Sequence, residues 1–181
     1  MSKPAIFLDR DGTVNFELDY LYQSTEWKWI PGAIEAIKLL NANGFLVIVV
    51  SNQSGIARGK YTRDDVDKLH VYVNSDLQVQ GGVIDEFYYC AHHPDYGDLK
   101  DCECRKPKLG MLKQACNDHD IDLAKSWLIG DKLTDVQTGE NAGISSVLVL
   151  TGYGKEALKK IKPDQLTAHD LLDAVRQHIV Y

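Results

Sequence analysis

Five short apolar runs, separated by helical patterns, constrain the fold of this chain more than any other feature of its sequence. The runs are rich in Ile, Val, Phe and Tyr, and most lack the alternation of apolar and polar residues that a half-exposed strand shows. Such runs are typical of strands that are buried on both faces of a parallel sheet. The runs are Ala5–Leu8, Phe45–Val50, Glu86–Cys90, Ser126–Ile129 and Ser146–Leu150.

The segments between these runs carry helical patterns with boundary signals of their own. Thr62 is the predicted N-cap of one helix, and Asp65 follows three residues later, as in a capping box. The predicted helices are Ala33–Asn43, Asp64–Val79, Met111–His119, Asp135–Asn141 and Ala168–Ile179. Strands that alternate with helices indicate an α/β fold built on a doubly wound parallel sheet.

The size and charge of the chain limit its organisation and its partners. Its 181 residues contain no repeat or low-complexity linker and predict a single domain over residues 1–181. The net charge of −6 argues against a nucleic-acid partner, because such proteins usually carry a basic excess. No apolar run approaches the roughly 20 residues of a membrane span, and the N-terminus lacks a signal-peptide pattern. We therefore predict a cytoplasmic protein with no membrane partner, and a monomer, because no predicted helix shows a second apolar face.

Two carboxylates, Asp9 and Asp11, follow the first predicted strand directly. Side chains two residues apart point the same way in an extended chain. One can therefore attack phosphorus while the other protonates the leaving oxygen and later activates water. Gly12 permits a sharp turn at this point. The alternative is a calcium-type loop or a solvated acidic turn, and the position after a buried strand favours the catalytic interpretation.

The second predicted strand leads into a segment whose polar groups suit a phosphate. Hydroxyl, amide and glycine-exposed N–H groups follow one another there, and Arg58 is placed to grip a second anionic group. The alternative is an ordinary β-to-α loop. The candidate residues of this segment are Ser51, Asn52, Gln53, Ser54 and Arg58.

A long irregular segment, Ala91–Lys108, contains most of a predicted zinc site. Three cysteines and one histidine form a Cys3His set, which is the usual composition of a closed structural zinc site. The four residues are Cys90, His92, Cys102 and Cys104. The alternatives are reduced buried thiols or a redox pair, with His93 as a rival ligand, while Cys116 is predicted to lie in a helix. Zinc would pin the segment and fix two cations, Arg105 and Lys106, near the strand ends.

The fourth predicted strand ends at Gly130-Asp131. Asp131 can join Asp9 in binding Mg²⁺, which prefers carboxylate oxygens. Asp135, four residues later, either supports this metal site or caps the following helix, and the sequence leaves both roles open.

Taken together, these motifs resemble the haloacid dehalogenase (HAD) superfamily. Its four motifs are matched in order by Asp9–Thr13, Ser51, Lys106 and Gly130-Asp131 with Asp135. The cysteine–histidine segment leading into Cys104–Pro107 is similar to the histidinol-phosphatase-like branch of that superfamily. The resemblance extends from Ile6 to about Gly152, and it implies a HAD-like fold with a zinc-bound loop and no large cap domain.

The resemblance also implies a mechanism and a set of roles. Asp9 becomes the nucleophile and Asp11 the acid and base, while Ser51 and Lys106 stabilise the phosphoryl oxygens. Asp9, the carbonyl of Asp11 and Asp131 become the Mg²⁺ ligands. The candidates for binding the rest of the substrate are Tyr20, Asn52, Gln53, Ser54, Arg58, Arg105 and Lys132.

Within this branch, the resemblance is closest to members that remove one phosphate from a heptose bisphosphate. Arg58 and Arg105 favour a doubly anionic, small phosphorylated sugar, because each can hold a phosphate in a bidentate manner. The alternatives are a histidinol-phosphate phosphatase, a catalytically silent phosphosugar-binding module, and a phosphatase for a macromolecule. The segment Phe16–Trp29 either walls the substrate pocket or packs on the core as a surface flap.

Overall fold

A computed structural model describes residues 2–180 of the chain. Six strands form one parallel sheet with the order β3-β2-β1-β4-β5-β6. The strands are β1 (Ala5–Leu8), β2 (Leu46–Asn52), β3 (Glu86–Cys90), β4 (Trp127–Gly130), β5 (Ser145–Val149) and β6 (Leu166–Ala168). The predicted doubly wound α/β fold is therefore confirmed.

Helices cover both faces of the sheet. The helices are α1 (Ala33–Ala42), α2 (Arg63–Val79), α3 (Gly110–Asp118), α4 (Leu133–Ala142), α5 (Gly154–Ala157) and α6 (Leu171–His178). Helices α1, α2 and α6 share one buried cluster with Ile6 and Leu8 of β1. Helix α3 packs on the opposite face, against Phe7 and its neighbours in β2 and β4. Consecutive residues of β1 are thus buried on opposite faces, which explains the absence of alternation in its sequence.

The strand order places the ends of β1 and β4 next to each other at the middle of the sheet. β1 pairs with β2 on one side and with β4 on the other, so the chain winds outward from β1 in both directions. In open α/β sheets, the crevice at such a reversal, beyond the carboxyl ends of the strands, is where ligands bind. The residues that follow β1 and β4 therefore lie where a ligand is expected to bind.

The last part of the chain differs from the sequence-based prediction. The predicted helix Ala168–Ile179 begins at Leu171, because Ala168 ends a sixth strand that pairs with β5. Asp170 caps the helix by accepting from the N–H of Asp173 at 2.9 Å. The strand has only three residues, so its sequence carries no recognisable period.

The segment after the first motif combines both roles that the sequence left open for it. Leu21, Trp27 and Ile30 are buried in the core, whereas residues 17–21 line a cavity above the sheet. Among residues 2–180, the helices are all too short or too polar to cross a bilayer.

Candidate active site

Asp9 lies directly after the last residue of β1. Its N–H donates to the carbonyl of Ile129 at 2.9 Å, so the β1–β4 ladder continues to Asp9 and fixes its position. The chain then turns at Gly12, which has a φ of +86°, a conformation that residues with a Cβ rarely adopt. A Cβ on Gly12 would clash with the carboxylate of Asp131. Glycine at this position therefore lets the ends of β1 and β4 approach each other.

A buried lysine holds the Asp9 carboxylate in its ionised form. Lys106 Nζ lies 2.9 Å from Asp9 Oδ1, and both side chains are at most 5% exposed. Burial alone would raise the pKa of Asp9, but the ammonium groups of Lys106 and Lys132 lower it below its usual range. The same carboxylate raises the pKa of Lys106, against the effect of burial. Asp9 is therefore an available anionic oxygen nucleophile.

Asp135 caps the following helix, which is one of the two roles that the sequence left open, and it also contacts Lys106. Its Oδ1 lies 2.6 Å from Lys106 Nζ, which positions the lysine from the side opposite Asp9. Its Oδ2 accepts from the N–H of Lys132 at 2.9 Å and thereby caps α4. Because both carboxylate oxygens are used, one residue fixes the start of the helix and the lysine of the site.

Asp131 presents one free carboxylate oxygen to the site. The N–H of Tyr153 donates to Asp131 Oδ2 at 2.7 Å, whereas Asp131 Oδ1 is buried and accepts no hydrogen bond. Burial and the negative charge of Asp9 raise the pKa of Asp131 to about 8. A buried oxygen without a donor, next to a second carboxylate, is what a cation-binding site offers.

Lys132 lies among the predicted metal ligands, although the sequence placed it among the substrate-binding residues. Its Nζ is 3.3 Å from Asp9 Oδ2, 3.3 Å from the carbonyl of Asp11 and 3.5 Å from Asp131 Oδ1. Glu17 contacts the same ammonium at 3.0 Å. The ammonium therefore marks a point where three oxygens attract a positive charge. These oxygens suit Mg²⁺, which prefers hard oxygen ligands.

Asp9, Asp131 and Asp135, with Lys106 and Lys132, are referred to below as the carboxylate centre. The three acids each offer an oxygen within 4.8 Å of the other two, and all three residues are buried. Three carboxylates and two ammonium groups leave the centre one negative charge when all are ionised. This balance is compatible with one further cation.

The carboxylate of Asp11 is surrounded by a set of donors. Asn15 Nδ2 donates to Asp11 Oδ1 at 3.0 Å, and Gln53 Nε2 donates to Asp11 Oδ2 at 3.0 Å. The guanidinium of Arg10 contacts both oxygens. Gln53 Nε2 also donates to Ser51 Oγ at 2.7 Å. The amide of Gln53 thus links Asp11, the predicted acid–base residue, to the hydroxyl of Ser51, which is predicted to bind phosphate.

A cavity of about 240 Å³ opens next to Asp11 and Lys132. Among the predicted substrate-binding residues, six line it: Tyr20, Asn52, Gln53, Ser54, Arg58 and Lys132. The amide of Asn52 is nevertheless already occupied, because it bonds both the N–H and the carbonyl of Lys106. Asn52 therefore connects β2 to the segment that carries the lysine. Tyr20 has a φ of +61° and presents an exposed ring at the mouth of the cavity.

The two predicted arginines occupy different positions around this cavity. Arg58 lines it directly, with Nη2 at 3.1 Å from His93 Nε2 and its guanidinium 4.0 Å from the centre of the Tyr96 ring. Arg105 Nη1 donates to Ser54 Oγ at 2.9 Å and to the carbonyl of His92 at 3.0 Å. Arg105 thus reaches the cavity through Ser54 and is held by the backbone of the predicted zinc segment.

The four predicted zinc ligands come together and are referred to below as the thiol cluster. Cys104 Sγ lies 3.2 Å from Cys90 Sγ and 3.2 Å from His92 Nδ1, and Cys102 Sγ lies 3.6 Å from Cys90 Sγ. In a tetrahedron with Zn–S bonds of about 2.3 Å, ligand atoms lie roughly 3.8 Å apart. The donor set and its spacing therefore fit zinc. His93, the rival ligand, is not part of the cluster.

Several residues of the site were not identified from the sequence. Arg10 is 1% exposed, and its charge within a buried motif is the signal that could have revealed it. Asn15 and Glu17 follow the first motif closely, but nothing in their sequence context marks them. Tyr61 and Tyr153 lie far from the motifs that they support, so only the folded chain reveals their contacts.

The comparisons with known proteins agree with this geometry. A model of haloacid dehalogenase-like hydrolases matches residues 6–87, and a HAD-hydrolase-like model matches residues 103–174. The D-glycero-β-D-manno-heptose-1,7-bisphosphate 7-phosphatase of Haemophilus ducreyi is 42% identical over 179 residues, which cover 97% of this chain and 98% of that protein. The enzyme of the same name from Escherichia coli is 41% identical, covering 93% of this chain and 87% of its own.

A solved structure extends the similarity to three dimensions. The D,D-heptose 1,7-bisphosphate phosphatase of B. bronchiseptica, crystallised with magnesium and phosphate, has a TM-score of 0.87 at 34% identity. The match covers 96% of this chain and 97% of that one. The resemblance inferred from the motifs is thereby confirmed, and this chain belongs to the haloacid dehalogenase-like hydrolase family.

Proposed function

We propose that this protein is a Mg²⁺-dependent phosphatase that removes the 7-phosphate from D-glycero-β-D-manno-heptose 1,7-bisphosphate. The observation that carries the proposal is the Asp9 carboxylate, which is ionised and held by Lys106 beside a buried oxygen of Asp131 that makes no hydrogen bond. The relatives described above, which bear the name of this activity and align over nearly the whole chain, support the choice of substrate.

The proposed reaction begins with Asp9. One of its oxygens attacks phosphorus, the bond from phosphorus to the sugar oxygen breaks, and Asp11 gives a proton to that oxygen. Asp11 then takes a proton from a water molecule, whose oxygen attacks the aspartyl-phosphate and releases inorganic phosphate. Lys106 and the hydroxyl of Ser51 stabilise the phosphoryl oxygens during both steps.

Mg²⁺ would be held by Asp9, the carbonyl of Asp11 and Asp131, and it would neutralise negative charge on the phosphoryl group. Asp131 offers its free oxygen for this purpose. Lys132 Nζ contacts the same three acceptors. Mg²⁺ would take the place of the ammonium at these oxygens, so Lys132 would release them in the metal-bound protein. It then becomes available for the substrate, as the sequence predicted.

Zinc would be held by Cys90, His92, Cys102 and Cys104 and would have a structural role. The backbone of the thiol cluster leads directly into Arg105 and Lys106, so pinning the cluster fixes both cations. Arg105 and Arg58 are proposed to bind the phosphate that is not removed. Arg58 lines the cavity, and Arg105 donates to Ser54, which lines it as well.

A second candidate substrate is histidinol phosphate, and one observation favours it. Glu17 and Asp19 line the same cavity, and their carboxylates suit a cationic substrate better than a second phosphate. Arg58 and Arg105 favour the bisphosphate instead, because their positive charges suit a second phosphate. The two substrates therefore make opposite demands on the charge of the cavity.

The test is Mg²⁺-dependent phosphate release from the two substrates, measured side by side with the purified protein. The proposal expects a much larger kcat/KM for the bisphosphate, with one phosphate released and the 1-phosphate retained in the ³¹P NMR spectrum. A larger kcat/KM for histidinol phosphate would overturn the substrate and leave the Asp9 mechanism intact. Location in the cytoplasm and a monomeric state stay predictions from the sequence.

A further inference from the structure

The side-chain amide of Gln53 is the only group described above that contacts both Asp11 and Ser51. It is 2% exposed, and its Nε2 donates to Asp11 Oδ2 at 3.0 Å and to Ser51 Oγ at 2.7 Å. On the other side, Gln53 Oε1 accepts from Tyr61 Oη at 2.6 Å and from Arg10 Nη2 at 3.3 Å. Four polar neighbours thus surround one buried amide.

The chemistry of these neighbours fixes the direction of every hydrogen bond. A guanidinium only donates and a carboxylate only accepts, so Oε1 must face Arg10 and Nε2 must face Asp11. The contact from Arg10 is long and is shared with Asp11 and with the carbonyl of Leu21. The short contact from Tyr61 is therefore the one that holds the amide in place.

The neighbours of Tyr61 hold its ring in the position that this contact requires. Its ring packs against Gly55, where a Cβ would overlap the ring and its hydroxyl, and it stacks on Tyr22 at a centroid distance of 5.4 Å. Tyr61 is 7% exposed, and burial raises its pKa to about 12. The hydroxyl therefore remains a donor at any pH at which the protein would be assayed.

We propose that Tyr61 is a positioning residue for Asp11, and that it acts by donating a hydrogen bond to the amide of Gln53. This inference rests on the proposed function, in which Asp11 protonates the leaving oxygen. Without the hydroxyl, Gln53 Oε1 keeps only its long contact with Arg10 and the amide loosens. Asp11 Oδ2 is then held less firmly, because only its contacts with Arg10 remain unchanged. Phosphoryl transfer to Asp9 remains possible, but protonation of a poor leaving group becomes slower.

The experiment compares Tyr61→Phe with Tyr22→Phe on two substrates. Tyr61→Phe removes the hydroxyl and keeps the packing of the ring against Gly55 and Tyr22. Tyr22→Phe changes the ring stacked on it, whose hydroxyl contacts Gln23 at the surface, and serves as the matched control. One substrate is the heptose bisphosphate, whose alkoxide leaving group needs a proton. The other is p-nitrophenyl phosphate, whose leaving group does not.

The expected result is a fall of about three- to tenfold in kcat/KM for the bisphosphate with Tyr61→Phe, the size of one lost hydrogen bond. With p-nitrophenyl phosphate, kcat/KM should stay within about twofold of wild type, because that leaving group needs no proton. Tyr22→Phe should match wild type on both substrates. An equal loss on both substrates, or no loss on either, would overturn the inference.

The outcome for Tyr61 can be separated from the outcome for the proposed function. If the wild-type protein does not hydrolyse the heptose bisphosphate, the substrate proposal fails. The comparison is then made with whichever alkyl phosphate the wild-type protein does hydrolyse. The ratio between alkyl and aryl phosphate still decides whether Tyr61 acts through Asp11.

Discussion

The carboxylate centre and the thiol cluster are both suited to a metal, but they are organised by different forces. The carboxylate centre lies at the ends of β1 and β4, and Lys106 and Lys132 already balance most of its charge. In the thiol cluster, the ligand atoms contact mainly one another. The residues between its two arms, 94–101, are all exposed.

The difference indicates which of the two sites depends on its metal for its shape. Paired β-strands and buried ion pairs hold the carboxylate centre, so it is formed before Mg²⁺ binds. The segment between the arms of the thiol cluster is exposed, and the entropy lost when this segment is ordered opposes the association of the arms. Zinc would supply the free energy that keeps them together. Four predictions test this contrast.

The largest expected effect is that of Asp9→Asn on catalysis. The amide has no anionic oxygen, so kcat for phosphate release should fall by at least about a thousandfold. Zinc content, measured by metal analysis, should not change, because the thiol cluster is independent of the carboxylate centre. Asp64→Asn, at an exposed position of α2, is the matched control. Phosphate release at the wild-type rate in Asp9→Asn would refute the nucleophile assignment.

The next effect is that of Gly12→Ala on the carboxylate centre. A methyl group there would displace the Asp131 carboxylate, and we expect Mg²⁺-dependent kcat/KM to fall by about a hundredfold. Gly44→Ala is the matched control, because Gly44 has a φ of +81° with nothing within 4 Å of a built Cβ. That variant should lose about 1 kcal/mol of stability and no activity. Wild-type activity in Gly12→Ala, as in the control, would show that the carboxylate centre tolerates the methyl group beside Asp131.

A third prediction concerns Cys104→Ser in the thiol cluster. The variant should lose its zinc and about 2–4 kcal/mol of the free energy of unfolding. Limited proteolysis should cut it between residues 92 and 108. Cys116→Ser, in α3 and outside the cluster, should keep one zinc per chain and resist cleavage. If Cys104→Ser lacked zinc but resisted proteolysis as well as wild type does, the segment would not need the metal.

The smallest effect concerns His70, which lies beside the carboxylate centre's neighbour Asp11 and contacts it through Arg10. The imidazole is 6% exposed, lies 3.3 Å from Arg10 Nη1 and stacks on Phe87 at 4.3 Å. Burial and the charge of Arg10 hold the pKa of His70 well below its ordinary value of 6.5. The unfolded chain therefore binds a proton that the folded chain does not, and stability falls as the pH drops below about 6.5.

Urea denaturation at pH 7.5 and pH 5.5 measures this loss. At pH 5.5 the wild-type protein should have lost roughly 1 kcal/mol through His70, and His70→Gln should remove that part of the pH dependence. His169→Gln, at an exposed position, should retain it. The same slope in all three proteins would show that His70 is protonated in the folded state.

The predictable part of the site consists of residues whose role follows from position along the chain. Asp9, Asp11 and Asp131 follow strands, and parallel strands end at one edge of a sheet, so their proximity could be predicted. The zinc set could be predicted from the types and spacing of its residues. The role of Lys132 could not be predicted in the same way. Whether its ammonium contacts the substrate or the predicted metal ligands depends on distances of less than 4 Å between side chains, which the sequence does not give.

By itself, the sequence determined the strand–helix alternation, the edge of the sheet where the candidate active site lies, and the residue types of both candidate metal sites. These features depend on local pattern and on the direction of the strands. Only the tertiary structure decided that β6 pairs with β5, that Asp135 has two partners, and that Tyr61 reaches Asp11 through Gln53. Each of these depends on contacts between segments far apart in the chain, and such contacts leave no period or spacing in the sequence from which they could be predicted.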